Sequence, residues 1–131
     1  MSAYGPPGNR SSDDQKIYDG IFCYALIHLL DEKFRSKLIA DCYNQLRIDG
    51  YMIFVAISKN TATYGEGVKL SEDRFETRHG VKLYYYNLES VDKEFGNYGL
   101  IEAKEINEPS KTNESQTSQK FWQITCRKEA R

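Results

Sequence analysis

The sequence predicts an α/β fold in which a parallel strand–helix–strand unit is extended by a closing antiparallel pair. Three observations carry this expectation. Two apolar runs, Tyr18 to Tyr24 and Tyr51 to Ile57, are nearly continuous, as expected of strands buried on both faces of a parallel sheet. Between them apolar residues recur at spacings of three and four, the period of a helix lying on a sheet. Near the end, the β-prone segments Leu100 to Ile106 and Phe121 to Cys126 flank a polar stretch, which reads as an antiparallel pair joined by a mobile loop.

Taken in order, residues 1–16 hold turn formers such as Gly5-Pro6-Pro7-Gly8 and little apolar periodicity, so they form a flexible arm ahead of a domain spanning 17–128. After the first strand, Asp31 is a good N-cap for a helix continuing to about Leu46. Phe34, Leu38, Ile39, Cys42 and Leu46 make its inward stripe, while Lys33, Arg35, Lys37 and Asp41 face elsewhere. Asp49-Gly50 ends that helix, because glycine accepts the left-handed C-terminal conformation. The second strand follows at once, and such a crossover is right-handed almost without exception.

Residues 58–79 are polar, glycine-punctuated and too long for a simple connector, which suggests a lid. Its second part reads as a hairpin: Phe75 and Thr77 alternate on one side of Arg78-His79-Gly80, and Val81, Leu83 and Tyr85 on the other. Asn87 caps a short helix whose Leu88, Val91 and Phe95 share a face, ending at Gly96 and Gly99.

Composition removes several function classes. Eighteen basic and nineteen acidic residues leave no field that would draw nucleic acid or an anionic membrane. The longest apolar stretches fall short of the roughly 20 residues of a membrane span. The N-terminus does not resemble a secretory signal, so a soluble, cytoplasmic protein is expected. Cys23, Cys42 and Cys126 lack the Cys-x-x-Cys spacing of a zinc site and read as buried thiols, with no metal expected. No Ser-His-Asp spacing or Walker loop is present.

The element order and local sequence together resemble the C-terminal half of class I S-adenosylmethionine-dependent methyltransferases. Tyr18-Asp19-Gly20-Ile21-Phe22 with Tyr24 to Asp31 resembles the family's fourth strand and the segment after it. Leu46-Arg47-Ile48-Asp49-Gly50-Tyr51-Met52-Ile53 resembles its Leu-x-x-Gly-Gly turn into strand five, with Asp49 in place of the first glycine. Residues 80–86 and 88–99 look like the small-molecule branch, near the tellurite-resistance type. The resemblance implies a partial Rossmann-like sheet of strand order four, five, seven, six, the last strand antiparallel, with flanking helices.

It also implies S-adenosylmethionine as cofactor. The family's glycine-rich loop after strand one and its acid after strand two have no counterpart here; Gly65-Glu66-Gly67 follows a polar segment and precedes no helix. By resemblance Cys23, Tyr24 and Ala25 approach the cofactor, and Asp14, or its neighbour Asp13, corresponds to the acid that bonds the adenine amino group. His28 faces the cofactor or substrate entrance as a candidate base. Tyr84 and Tyr86 are candidates for an acceptor pocket, each offering an apolar ring and one polar tip.

Two functions are then expected to compete. One is methyl transfer to a small-molecule acceptor. The other is a noncatalytic interaction module that pairs, with a missing N-terminal half or a second copy, through the strand edge 21–24. An unpaired edge is a template for association.

Overall fold

The computed structural model of the chain describes residues 16–108 and 119–130. The arm at 1–15 and the loop at 109–118, on which two of the expectations above fall, lie outside the described residues. The elements are β1 (Tyr18–Tyr24), a 3-10 turn (Ile27–Leu29), α1 (Glu32–Asn44), β2 (Leu46–Ile57), β3 (Val68–Ser71), β4 (Arg74–Glu76), β5 (Lys82–Tyr84), α2 (Leu88–Phe95), a second 3-10 turn (Gly96–Tyr98), β6 (Leu100–Glu108) and β7 (Gln119–Arg127). They make a four-stranded sheet ordered β1-β2-β7-β6 and a small antiparallel sheet ordered β3-β4-β5. In the larger sheet β1 and β2 are parallel, and β7 runs antiparallel to both β2 and β6. This is the expected order, fourth, fifth, seventh and sixth.

Asp31 caps α1, its Oδ1 accepting from the Phe34 amide at 3.0 Å. Asn87 and Ser90 cap α2 reciprocally, each side chain bonding the other's backbone amide. The helices bury their apolar sides against one face of the sheet, where Ile21, Cys23, Met52, Phe54, Trp122, Ile124 and Cys126 meet Leu38, Ile39 and Cys42 of α1 and Val91 and Phe95 of α2. Burial pushes the three thiols up, Cys23 to about 11 and Cys42 and Cys126 to about 12, so they stay protonated and inert.

Three local expectations are corrected. The α1 stripe is Arg35, Leu38, Ile39 and Cys42, whereas Phe34 is 57% exposed. The buried stripe therefore starts one residue later than the apolar one, because Arg35 has an anionic partner under the helix. The helix ends at Asn44, and Asp49-Gly50 lies inside β2 rather than at the helix end. There the β1–β2 register jumps between Tyr18 and Gly20, and Asp49 takes φ +72°. A Cβ at Gly50 would stand 2.7 Å from the Asp19 carbonyl oxygen and 2.9 Å from that of Arg47, so crowding between strands demands the glycine.

Third, β1 is buried on one face only. Ile21 and Cys23 point to the helices, while Phe22 (46%) and Tyr24 (43%) stay exposed on the other face, beside Tyr51 (47%) of β2. Both described helices contribute to the same core, so among the described residues this second face is covered only near Ile57 and Phe121, where the lid aromatics settle. Among the described residues no helix is long and apolar enough to cross a membrane.

Candidate functional site

In an open sheet with parallel strands, ligands bind outside the strands' carboxyl ends. Here those ends are Tyr24 and Ile57, on neighbouring strands. The chain leaves β1 through Ala25, which holds a left-handed φ of +56° and donates its amide to the Val55 carbonyl at 2.8 Å. A non-glycine residue in that region is strained, and such strain concentrates where a chain must be re-aimed at a site. Tyr24 lies along the half-exposed face of β1, ring-stacked with Phe22 and Phe121, and hydrogen-bonds Glu108. Burial, then Glu108, raises its phenol above the ordinary value.

The 3-10 turn after Ala25 buries His28. Its Nδ1 accepts the Ile57 amide at 2.8 Å, so the neutral ring carries its proton on Nε2. Desolvation lowers its pKa from 6.5 to about 4. A ring already engaged at Nδ1 and reluctant to take a proton ties the ends of β1 and β2 together. The folded pKa is depressed, so His28 contributes stability above pH 6.5, and this is lost as pH falls toward 4. The gap corresponds to roughly 3 kcal/mol. Denaturation profiles of the wild type and His28→Gln should therefore converge by that amount between pH 7 and pH 4; parallel profiles would contradict a buried neutral ring.

Beyond Ile57 the chain is sewn to the segment after β5. The Tyr86 amide donates to the Ile57 carbonyl, the Lys59 amide to the Tyr86 carbonyl, and Trp122 Nε1 to that same carbonyl at 2.9 Å. Ser58 Oγ, fully buried, donates to Glu105 at 2.7 Å, and with Asn60 it holds that carboxyl below its usual range. The lid thus has a fixed base. Over it β3, β4 and β5 fold back, with Phe75 and Tyr85 burying against Ile57, and Tyr64 and Leu83 beside them. Tyr64 donates to Asp73 at 2.7 Å, and Lys59 pairs with the same carboxylate at 3.1 Å.

Between lid and sheet end lies a cavity of about 510 Å³, lined by Ile57, Thr63, Glu66, Arg78, Leu83 and Tyr85 among others. Gly65 and Gly67 take φ of +93° and +92° in the turn leading into β3. A Cβ at Gly67 would collide with the Glu76 carbonyl, so this Gly-x-Gly pair serves the lid.

Tyr84 and Tyr86 do not share one cavity. Tyr86 is wholly buried in the core and donates to Glu94 Oε1 at 2.6 Å; burial, then Glu94, holds its phenol well above the ordinary value. Tyr84 packs edge-on against Tyr86 beneath the Arg35 guanidinium, 3.8 Å from its ring centre, and lines a second cavity of about 470 Å³ with Glu32, Ser71, Arg74 and Glu94. Tyr85, between them in sequence, faces the lid cavity instead. The hairpin alternation groups Leu83 with Tyr85 but does not say that this side borders a cavity, and nothing in the spacing of Arg78 or Glu66 marked them. The Cys23 side chain faces the helices, so only its backbone borders the strand end. Asp14 and Asp13 lie outside the described residues.

By sequence alone, neither a family model nor a curated relative matches the chain. By structure it is similar to a SAM-dependent methyltransferase from Methanosarcina mazei, with a TM-score of 0.71 and 12% identity over 89% of this chain and 62% of that one. It is also similar to the Burkholderia thailandensis 1,6-didemethyltoxoflavin-N1-methyltransferase, crystallised with 1,6-didemethyltoxoflavin and S-adenosylhomocysteine (TM-score 0.64, 12% identity, 90% and 47% coverage). TehB from Haemophilus influenzae aligns as well (TM-score 0.58, 17% identity, 89% and 37% coverage). The chain therefore spans between about a third and two thirds of the length of these three proteins. With a partly parallel, partly antiparallel sheet and flanking helices in common with these structures, it has the fold of the class I S-adenosylmethionine-dependent methyltransferases.

Proposed function

We propose that this chain is the acceptor-binding portion of an S-adenosylmethionine-dependent methyltransferase acting on a small molecule. The observation that carries the reading is a lidded cavity at the carboxyl ends of the parallel strands, in a chain with that fold. The 1,6-didemethyltoxoflavin bound to the similar Burkholderia thailandensis methyltransferase supports a small-molecule acceptor. Methyl transfer needs the sulfonium and acceptor aligned, and positioning supplies much of the rate. The residues for which this chain would answer are those that hold the acceptor and exclude water beneath the lid.

The cofactor fits these residues only in part. Tyr24 and Ala25 offer one wall, but the Ala25 amide is already spent on Val55, and the described residues present no glycine-rich cradle. A second segment, an N-terminal half or another copy, would have to complete the pocket. The edge of β1 and the half-exposed Phe22, Tyr24 and Tyr51 are where it would add.

Calorimetric titration of the chain with S-adenosylmethionine should show no saturable binding in the micromolar range. Micromolar affinity for the chain by itself would overturn this account of the pocket.

The half-exposed aromatic face also favours a second reading, a catalytically incompetent module that pairs through β1. Light scattering and amide exchange address both readings: a strict monomer with fast exchange at Ile21 to Tyr24 would sink the pairing.

A further inference from the structure

We propose that the lid cavity is a subsite for an aromatic or heteroaromatic acid, its ring held between Ile57 and Leu83 and its carboxylate at Arg78. This deepens the function proposed above and rests on it only in naming the ligand a methyl acceptor. Three independent features of the cavity point to that chemistry.

One wall of the cavity is an apolar patch. Ile57 and the Tyr85 ring are buried, Leu83 is half-buried, and Tyr85 is locked edge-on by Tyr64 at 5.2 Å and by Phe75 at 6.1 Å. A cavity of about 510 Å³ falls within the 300–1,000 Å³ range typical of small-molecule sites.

The Tyr85 hydroxyl is poorly satisfied. Its residue is 1% exposed, yet its contacts among the described residues are Thr63 Oγ1 at 3.4 Å and the Thr63 carbonyl at 3.5 Å. Ordinary O–H···O bonds run from about 2.5 to 3.0 Å, so this phenol retains hydrogen-bonding capacity for a polar atom on the ligand's inner end.

The charges of the lid are uneven in role. Lys59 and Lys69, which do not line the cavity, are paired with Asp73 at 3.1 Å and Glu72 at 3.7 Å. Arg78 lines the cavity with no ion pair or hydrogen bond among the described residues. A guanidinium fork matches a carboxylate in two parallel bonds, which favours an acid over a neutral ring. Glu66, on the same lining and without a side-chain partner among the described residues, disfavours a second acidic group on the ligand.

The test is an NMR titration of the labelled chain with 2-naphthoate, 2-naphthylmethylamine and 2-naphthylmethanol, each without S-adenosylmethionine. Naphthoate should give saturable shifts at the Arg78, His79 and Tyr85 amides, with a dissociation constant of about 1 mM, the reach of a ligand that size. Arg78→Gln should weaken it about tenfold and Tyr85→Phe about threefold, while Glu66→Gln should not weaken it. Tyr85→Phe keeps the aromatic packing, and Arg78 and Glu66 are exposed, so the variants should keep the wild-type spectral dispersion.

Equal binding of the amine, no effect of Arg78→Gln, or no saturable shift with naphthoate would each overturn the proposal. Because the cofactor is left out, a failed cofactor titration does not touch this result. Conversely, naphthoate binding without methyl transfer in a completed pocket would sink the enzymatic reading alone.

Discussion

Replacing Glu94 with alanine is expected to remove about 3–5 kcal/mol of folding stability, the usual cost of orphaning one member of a buried ion pair. Glu94 accepts from Arg35 Nε at 3.1 Å, from Arg35 Nη2 at 3.0 Å and from the Tyr86 hydroxyl at 2.6 Å. The Arg35 and Glu94 side chains are 4% and 13% exposed, so water cannot readily take the lost partner's place. Without Glu94 the guanidinium keeps only the Leu30 carbonyl and the Tyr84 ring, and the buried Tyr86 phenol loses its acceptor. In a domain stable by about 5–15 kcal/mol this is a large fraction.

Glu94→Gln keeps an acceptor for Tyr86 and should cost roughly half as much. The double change Arg35→Met with Glu94→Leu removes both charges and should recover much of the loss, since an apolar pair often replaces a buried ionic one at little cost. Urea midpoints of the variants measure these differences. A Glu94→Ala protein within about 1 kcal/mol of wild type would show that the pair is more solvated than its geometry implies. The same network ties α1 and α2 to the segment holding the lid base. Glu94→Ala should therefore also loosen the cavity, read as faster amide exchange at Tyr85 and Tyr86.

Gly99→Ala should be comparably damaging, at about 3 kcal/mol or more, for a backbone reason. Gly99 takes φ +75° where the second 3-10 turn gives way to β6, and its carbonyl accepts the Arg127 amide at 2.8 Å. A Cβ there would collide with the Arg127 carbonyl oxygen, so alanine adds a clash to the left-handed penalty of about 1–2 kcal/mol. Either the turn opens or the β6–β7 pairing slips at Leu100 and Cys126, its first partners. Gly65→Ala is the control. Gly65 is also left-handed, at +93°, but nothing stands within 4 Å of its Cβ position, so only the conformational penalty applies. Equal losses for the two variants would mean that the approach to Arg127 is not the constraint.

Much of the architecture was legible because local chemistry and tertiary context agree there. Asp31 and Asn87 read as caps and act as caps, since a side-chain oxygen facing free helix amides needs no distant partner. The order β1-β2-β7-β6 followed from the resemblance of residues 18–31 and 46–53 to a known family. The hairpin alternation correctly grouped Phe75, Leu83 and Tyr85. The third strand of the lid, Val68–Ser71, was missed because all four of its residues are exposed and leave no alternating pattern.

Asp49-Gly50 misled because a glycine demanded by crowding against Asp19 looks in sequence like one that ends a helix. Tyr84 and Tyr86 misled because three consecutive tyrosines carry no mark of which ring faces a cavity and which completes a core.

The amino-acid sequence by itself determined the strand–helix–strand unit, the closing antiparallel pair, the caps and the buried thiols. All of these depend on side-chain periodicity or on partners a few residues away. The tertiary structure alone decided that Arg35 is buried and that His28 serves as a tether. It also decided that Tyr85 lines the cavity and that Phe22 and Tyr24 on one face of β1 stay half-exposed. Each of these turns on a partner far along the chain, Glu94 for Arg35, the Ile57 amide for His28, and the lid folding over Ile57 for Tyr85. Burial and charge pairing are properties of that assembled neighbourhood, and no window of sequence contains it.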